Sequence, residues 1–199
     1  MFSVSLNEKS TKHTYTDEQI LEEVKKGNWE LFGHIYDKWN QKIYSYIMTI
    51  LNYNSEDANE ILGDVFIGLF EYNKENTIKN CKSFLYTSAH NKAIDLIRKK
   101  SELYTNDWVE DQVIDIQSEN KKDELNLTYQ QKLMQKYLSL LQPKEREIIH
   151  LFYYENKSYE EIAQYLWSNK NTIWTIISQA KKKIKEFVER DGTDKILSE

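Results

Sequence analysis

The chain has 199 residues, a formal net charge of −5, one proline, five glycines and one cysteine. No run approaches the roughly 18 apolar residues of a membrane span, and the N-terminus lacks a basic-then-apolar signal region, so neither membrane insertion nor export is expected. The single Cys81 excludes an internal disulfide and a cysteine-based zinc site, sparse glycine and proline favour helices over a β-rich fold, and a reducing cytoplasm is the expected location.

In chain order, Thr16-Asp17-Glu18-Gln19 is a capping box that opens a short helix ending near Gly27. Asn28 is the expected cap of the next. There Trp29, Phe32, Tyr36, Trp39, Ile43, Ile47 and Ile50 recur at helical spacing, which predicts an amphipathic helix to about residue 51. Ser55 is read as the cap of a third helix, running to about 72. The polar stretch 73–80 reads as a loop, and a fourth helix covers about 82–100. Residues 101–126 lack a clean period and read as a linker. Helical spacing resumes over 127–141, and Pro143 suits the first turn of another helix, reaching about 154.

The stretch 158–183 reads as a helix-turn-helix. Ser158 and Glu161 form a second capping box, and Ile162, Ala163 and Leu166 share a face. Trp167-Ser168-Asn169 makes a break, with Asn169 as the next cap. Ile173, Ile177, Ala180 and Ile184 form the buried stripe of the second helix. Two short helices joined by a tight turn can put a helix into the DNA major groove, and they can equally be a helical hairpin inside a core. The architecture expected is therefore all-α: an N-terminal helical domain over 1–100, an acidic linker over 101–126 and a C-terminal helix-turn-helix domain over 127–199.

Charge is unevenly placed. Residues 1–100 carry 13 basic and 14 acidic side chains, residues 101–132 carry 3 and 8, and residues 133–199 carry 11 and 10. A DNA reader normally draws affinity from neutralising phosphates. A chain this acidic should bind DNA poorly alone and rely on a partner for positive field.

Three surfaces could carry function. On the third helix Asp57, Glu60, Asp64 and Glu71 fall on one side, opposite Ala58, Ile61, Leu62, Val65 and Leu69; this is either a solvated face or a dock for a basic partner. On the fourth, Phe84, Ser88, Asn91, Asp95, Arg98 and Lys99 share a face with Lys92 at its margin. Aromatic and amide groups suit exposed bases and cations suit phosphates, although an ordinary solvated face has the same composition. On the last helix Asn171, Thr175, Ser178 and Lys182 point away from the stripe, beside Thr172 and Gln179. Asn and Gln can read adenine, Thr can touch a thymine methyl, and the run Lys181, Lys182, Lys183 and Lys185 suits either phosphates or a helix C-terminus. Enzyme signals are missing. His13, His34, His90 and His150 have no ligand spacing, and neither a phosphate loop nor a nucleophile elbow occurs. No cofactor is expected.

The order of these parts resembles bacterial sigma factors of the extracytoplasmic-function (ECF) group. WELFGHIYDKWNQKIYSYIM is similar to the opening helices of that family, EDANEILGDVFIGLF to its polymerase-docking helix, CKSFLYTSAHNKAIDLIRKK to its minus-ten helix and LQPKEREIIHLFYYENKSYEEIAQYL to the entry of its second domain. The resemblance implies an alternative sigma factor without enzymatic activity. Its partners would be core RNA polymerase (β′ clamp and β flap), promoter DNA and an anti-sigma factor. It implies polymerase binding by Asp57, Glu60, Ile61, Asp64 and Val65. It implies minus-ten contacts by Phe84, Thr87, Ser88, Asn91, Lys92, Arg98 and Lys99. Minus-thirty-five contacts would come from Lys170, Asn171, Thr172, Thr175, Ser178, Gln179 and Lys182. The sequence also departs from the pattern. Trp167 stands where a turn glycine is usual, Trp174 and Ile176 where cations are usual, and Gln179 where arginine is usual, so fewer cations remain for the upstream element. Trp174 and Ile176 project to the margins of the buried stripe and are expected to widen the core, with a Trp174 contact to a thymine methyl as the lesser alternative. A stand-alone helix-turn-helix regulator and a degenerate sigma-like polymerase-binding protein are the rival readings.

Overall fold

A computed structural model describes residues 15–105 and 129–190, which form eight α-helices. These are α1 (Asp17–Lys25), α2 (Phe32–Ile50), α3 (Ser55–Glu75), α4 (Cys81–Thr105), α5 (Tyr129–Ser139), α6 (Pro143–Tyr153), α7 (Tyr159–Tyr165) and α8 (Lys170–Arg190). No strand occurs among the described residues.

Local signals set most helix starts. Thr16 and Gln19 close a reciprocal capping box on α1, and Gly27, at φ 108°, ends it with a left-handed residue that glycine adopts without steric cost. Ser158 and Glu161 do the same for α7, and Asn169 Oδ1 accepts from the Thr172 amide to cap α8. Pro143 occupies the first turn of α6.

Several boundaries differ from the periodic reading. Asn28 makes no side-chain cap; a 3₁₀ turn over Trp29–Leu31 precedes α2, and Trp29 is 65% exposed instead of buried. Asn54, not Ser55, caps α3, its Oδ1 accepting from the Asp57 amide. Helix α3 continues to Glu75, and α4 runs from Cys81 to Thr105, past the expected start of the linker at 101. The rest of the 101–126 tether lies outside the described residues.

Helices α2, α3 and α4 pack around Ile35, Ile43, Ile47, Ala58, Val65, Leu69, Leu85 and Ala89, all buried. Asp17 anchors α1 to this group by accepting from Trp39 Nε1 (2.9 Å) and Lys38 Nζ (2.7 Å). Helices α5 to α8 pack around Leu138, Leu141, Ile148, Leu151, Ile162, Ile173 and Ile177. The two groups share one continuous core, because α6 lies directly against α2. Among the described residues no helix is long and apolar enough to cross a membrane.

Candidate functional site

The acidic face of α3 stands over its buried stripe as the 100° projection requires. Glu60 and Asp64 are exposed, and Asp57 is half-buried against Lys100. Asp64 pairs with Lys92 of α4 at 3.0 Å, an exposed contact of small energetic weight. Among the described residues Glu60 has no ion pair. Ile61 and Val65, expected among the docking residues, instead lie in the core and hold α3 from beneath, so neither is exposed to a partner. In their place Ile67, an isoleucine 63% exposed, stands on the acidic side. Its neighbours on the stripe are hydrophilic, so periodicity assigned it no role.

The face expected to read bases runs along α4. Asn80 Oδ1 accepts from the Ser83 amide (2.7 Å) and the Glu18 carboxylate accepts from the Cys81 amide (3.0 Å), so the helix start is held by two acceptors. Thr87, Asn91, Asp95, Arg98 and Lys99 are exposed along it, with Ser88 and Lys92 half-buried. The half-buried Phe84 ring lies 5.2 Å from Tyr72, which is exposed, so the two make an aromatic ledge at the head of the face. Arg98 is tethered to Asp95 at 3.1 Å. The neighbouring Cys81 is buried, and burial pushes its thiol up to about 12, so the reactive thiolate is negligible near neutral pH.

In α8, Asn171, Thr175, Gln179 and Lys182 are exposed, and Thr172 and Ser178 half-buried, opposite buried Ile173, Ile177 and Ala180. The Thr175 and Ser178 hydroxyls donate to the carbonyls of Asn171 and Trp174, four residues back. Trp174 is 56% exposed, which overturns its expected burial; it stands on the solvent side of the helix, whereas Ile176 does pack against the core. Trp167 is almost wholly exposed, at φ 51°, in the turn. Four cations of this helix have partners within the chain: Lys170 on Glu160, Lys183 on Glu145 at 2.6 Å, and, as exposed contacts of small energetic weight, Lys182 on Glu186 at 3.8 Å and Lys185 on Glu189 at 3.6 Å.

The densest polar cluster is one that spacing did not single out, at the seam between α2–α4 and α6–α7. Arg146 is buried. Its Nε donates to the Thr49 carbonyl (2.8 Å), its Nη2 to the Ile50 carbonyl (3.0 Å) and its Nη1 to the Leu141 carbonyl. The guanidinium thereby caps the C-terminus of α2, where orphan carbonyls and the helix dipole both favour a cation. Burial pulls it down to about 10, still fully charged near neutrality. Glu147 accepts from the Tyr46 hydroxyl and from His90 Nδ1 (2.7 Å). Tyr165 Oη donates to the Tyr86 carbonyl at 2.7 Å. Lys82 meets Glu155 at 3.0 Å. Read in sequence, Arg146 and Glu147 look like ordinary charges in the first two turns after Pro143; only their neighbours Ile148 and Ile149 hint at burial.

A helix-turn-helix with an exposed polar face, a second helix carrying aromatic, amide and basic groups, and a separate exposed acidic face are the surfaces that a nucleic-acid-reading protein with a protein partner needs. Comparison with known proteins narrows the class. The model of Sigma-70 region 2 matches residues 35–102 and that of Sigma-70, region 4, residues 131–184. The chain is 25% identical over 158 residues to the ECF RNA polymerase sigma factor SigK of Mycolicibacterium vanbaalenii, covering 77% of this chain and 80% of the relative. It is 24% identical over 158 residues to the SigK of Mycobacterium ulcerans, covering 77% and 83%. Its fold resembles that of the sigma factor RpoE of Bartonella quintana, solved with the anti-sigma factor NepR, at TM-score 0.61 and 18% identity over 79% of this chain and 96% of that one. It also resembles CnrH, solved with the cytosolic domain of CnrY, at TM-score 0.59 and 16% identity over 88% and 98%. The chain belongs to the sigma-70 family, in its ECF group. Regions 2 and 4 correspond to the two helical groups described above, and the protein is an alternative sigma factor, a transcription initiation factor that acts with core RNA polymerase on promoter DNA.

Proposed function

We propose that the exposed acids of α3, Glu60 and Asp64 with Asp57 at the margin, dock on a basic helical surface of core polymerase, with Ile67 as the apolar contact between them. The observation that carries this reading is an acidic face left exposed by an all-helical core, on a helix that lies within the region 2 match. The α4 face, with the Phe84–Tyr72 ledge, Thr87, Ser88, Asn91, Lys92, Arg98 and Lys99, takes the unpaired minus-ten strand. Stacked bases rest on aromatic rings and phosphates on cations. The α8 face, Lys170, Asn171, Thr172, Thr175, Ser178, Gln179 and Lys182, meets the minus-thirty-five duplex. Because Trp174, Ile176 and Gln179 leave few cations on this face, that contact is weak and promoter choice rests mainly on the minus-ten element. The protein performs no chemistry of its own, works in the cytoplasm and, as RpoE of Bartonella quintana does with NepR, meets an anti-sigma factor.

Run-off transcription on a promoter library, with core polymerase and with or without the protein, tests this reading. Defined new transcripts are expected. Glu60→Lys and Asp64→Lys should each abolish co-elution with core polymerase. Unchanged affinity in both variants would remove α3 as the docking helix. Co-elution without transcripts would favour a degenerate factor that docks but does not direct initiation.

A further inference from the structure

The first two turns of α8, Lys170 to Ile177, hold a single cation, Lys170, and no arginine; Arg190 lies at the far end of the helix. Those turns are the part of a helix-turn-helix that reaches base edges in the major groove. Guanine is read there chiefly by arginine or lysine, and adenine by asparagine or glutamine. The outward groups of this helix are of another kind. Asn171 and Gln179 bring exposed amides. The Thr175 hydroxyl donates to the Asn171 carbonyl and the Ser178 hydroxyl to the Trp174 carbonyl, each at 2.8 Å. With their protons committed to the backbone, neither hydroxyl donates to a base. Thr175 retains for a partner its methyl group and an acceptor oxygen.

Trp174 sits among these groups, three residues after Asn171 and four before Ser178, so the three share one flank of the helix. It is more than half exposed and takes no part in the hydrophobic core, whereas Ile176 and Ile184 pack against that core. Folding therefore leaves much of the indole in water, where burial by a partner is favourable. Its Nε1–H has no hydrogen-bond partner among the described residues. A scattered exposed aromatic needs no explanation, but this one stands on the helix of the motif that meets a duplex. Thymine is the base whose major-groove edge sets an acceptor, O4, beside a C5-methyl group. An indole offers the matching pair, a donor and an apolar face.

We propose that Trp174 is the specificity-determining residue of the upstream contact and that it selects thymine: the indole packs on a C5-methyl in the major groove, with Asn171 and Gln179 set for the adenines of neighbouring A·T pairs. The proposal rests on the assignment of α8 to the minus-thirty-five duplex made above. It agrees with the weak affinity of that contact, because phosphate cations supply affinity and position while groups on base edges supply discrimination.

The test uses the full chain bound to core polymerase, on a promoter with a fixed minus-ten element and a randomised upstream element. Sequencing of the transcribed templates is expected to show thymine enriched upstream in wild type and that enrichment lost in Trp174→Ala. Trp174→Arg should move the preference at the same position to guanine. Replacing the selected thymine by deoxyuridine removes the methyl group alone. Wild-type binding, read by fluorescence anisotropy, should then weaken about three- to fivefold, as for one buried methyl group, and Trp174→Ala should bind both templates alike. Circular dichroism and co-elution with core polymerase check that the variants are folded. A wild type that selects upstream bases other than thymine, or does not distinguish thymine from deoxyuridine, would overturn the proposal while leaving α8 on the duplex. So would the same selected bases in both variants as in wild type. Loss of polymerase affinity in Trp174→Ala with its base preference intact would assign the indole to a protein contact and overturn the proposal as well. No upstream preference of any kind in wild type would remove the assignment of α8 itself, and the proposal with it.

Discussion

His90 of α4 and Glu147 of α6 share a 2.7 Å hydrogen bond across the boundary between sigma regions 2 and 4. That bond holds the His90 imidazolium above its ordinary range against the opposing effect of burial. A histidine raised in the folded state stabilises most below its unfolded pKa and loses that contribution as pH rises through the folded one. His150, one turn further along α6, is perturbed in the opposite sense: burial pulls it down to about 4, and it stays neutral near neutrality. Two histidines of one seam therefore pull stability in opposite directions with pH.

The His150 effect should be the larger. The unfolded chain takes up a proton near pH 6.5 that the folded chain refuses until about 4, so stability falls as pH drops through that window. A gap of about 2.5 units corresponds to roughly 3 kcal/mol. His150→Phe keeps a ring against Tyr154, whose centroid is 5.1 Å away, and removes the titration. Urea denaturation of wild type and variant between pH 7.5 and 4.5 should show the difference between them shrinking or reversing as pH falls. A pH-independent difference would show that His150 titrates alike in both states.

Arg146→Met should destabilise the fold by about 2–4 kcal/mol, since it leaves the Thr49 and Ile50 carbonyls without their donors in a buried site. Chemical denaturation measures this directly. A cost below about 1 kcal/mol would mean that water or local rearrangement satisfies those carbonyls.

Trp167→Gly should raise stability by about 1 kcal/mol. Trp167 ends α7 in the left-handed region, where the Ser168 amide donates to the Ala163 carbonyl at 2.8 Å and closes a Schellman-type turn. A non-glycine residue pays for that φ, and the indole, nearly all in solvent, returns little packing. If the variant is instead less stable in urea titration, the indole contributes contacts that offset the strain.

Gln179→Arg should strengthen binding to an upstream duplex and steepen its salt dependence. One added phosphate contact changes the slope of log K against log salt by about 0.9. Fluorescence anisotropy of the polymerase-bound factor on that duplex, across a salt series, reads the slope. An unchanged slope would place Gln179 away from the phosphates.

Local chemistry was legible in the chain. Both Ser/Thr capping boxes, the Asn169 cap and the buried stripe of α8 follow from spacing because each depends on residues three or four positions apart. The acidic face of α3 was legible for the same reason. Trp29 was not: it fits the period of α2, but a 3₁₀ turn rotates it out of register into solvent. Nor was Trp174, whose place at the margin of a stripe leaves burial to whatever packs beside it. Ile61 and Val65 were legible by period as part of the inward stripe; only the family motif, which names a helix but not which of its faces a partner meets, set them among the docking residues.

Alone, the sequence determined that the chain is helical, where most helices begin, which sides of α3 and α8 face inward and, through four motifs in order, that it is a sigma factor. Those features are encoded within a few residues of one another or in the family pattern. Tertiary structure alone decided that Arg146 caps α2, that Glu147 meets both Tyr46 and His90, and that the two sigma regions share a core. These partners lie 57 to 101 residues apart, and no periodicity relates them. Their meeting depends on how whole helices pack, and a buried charge reveals its partner only once that packing has removed the water.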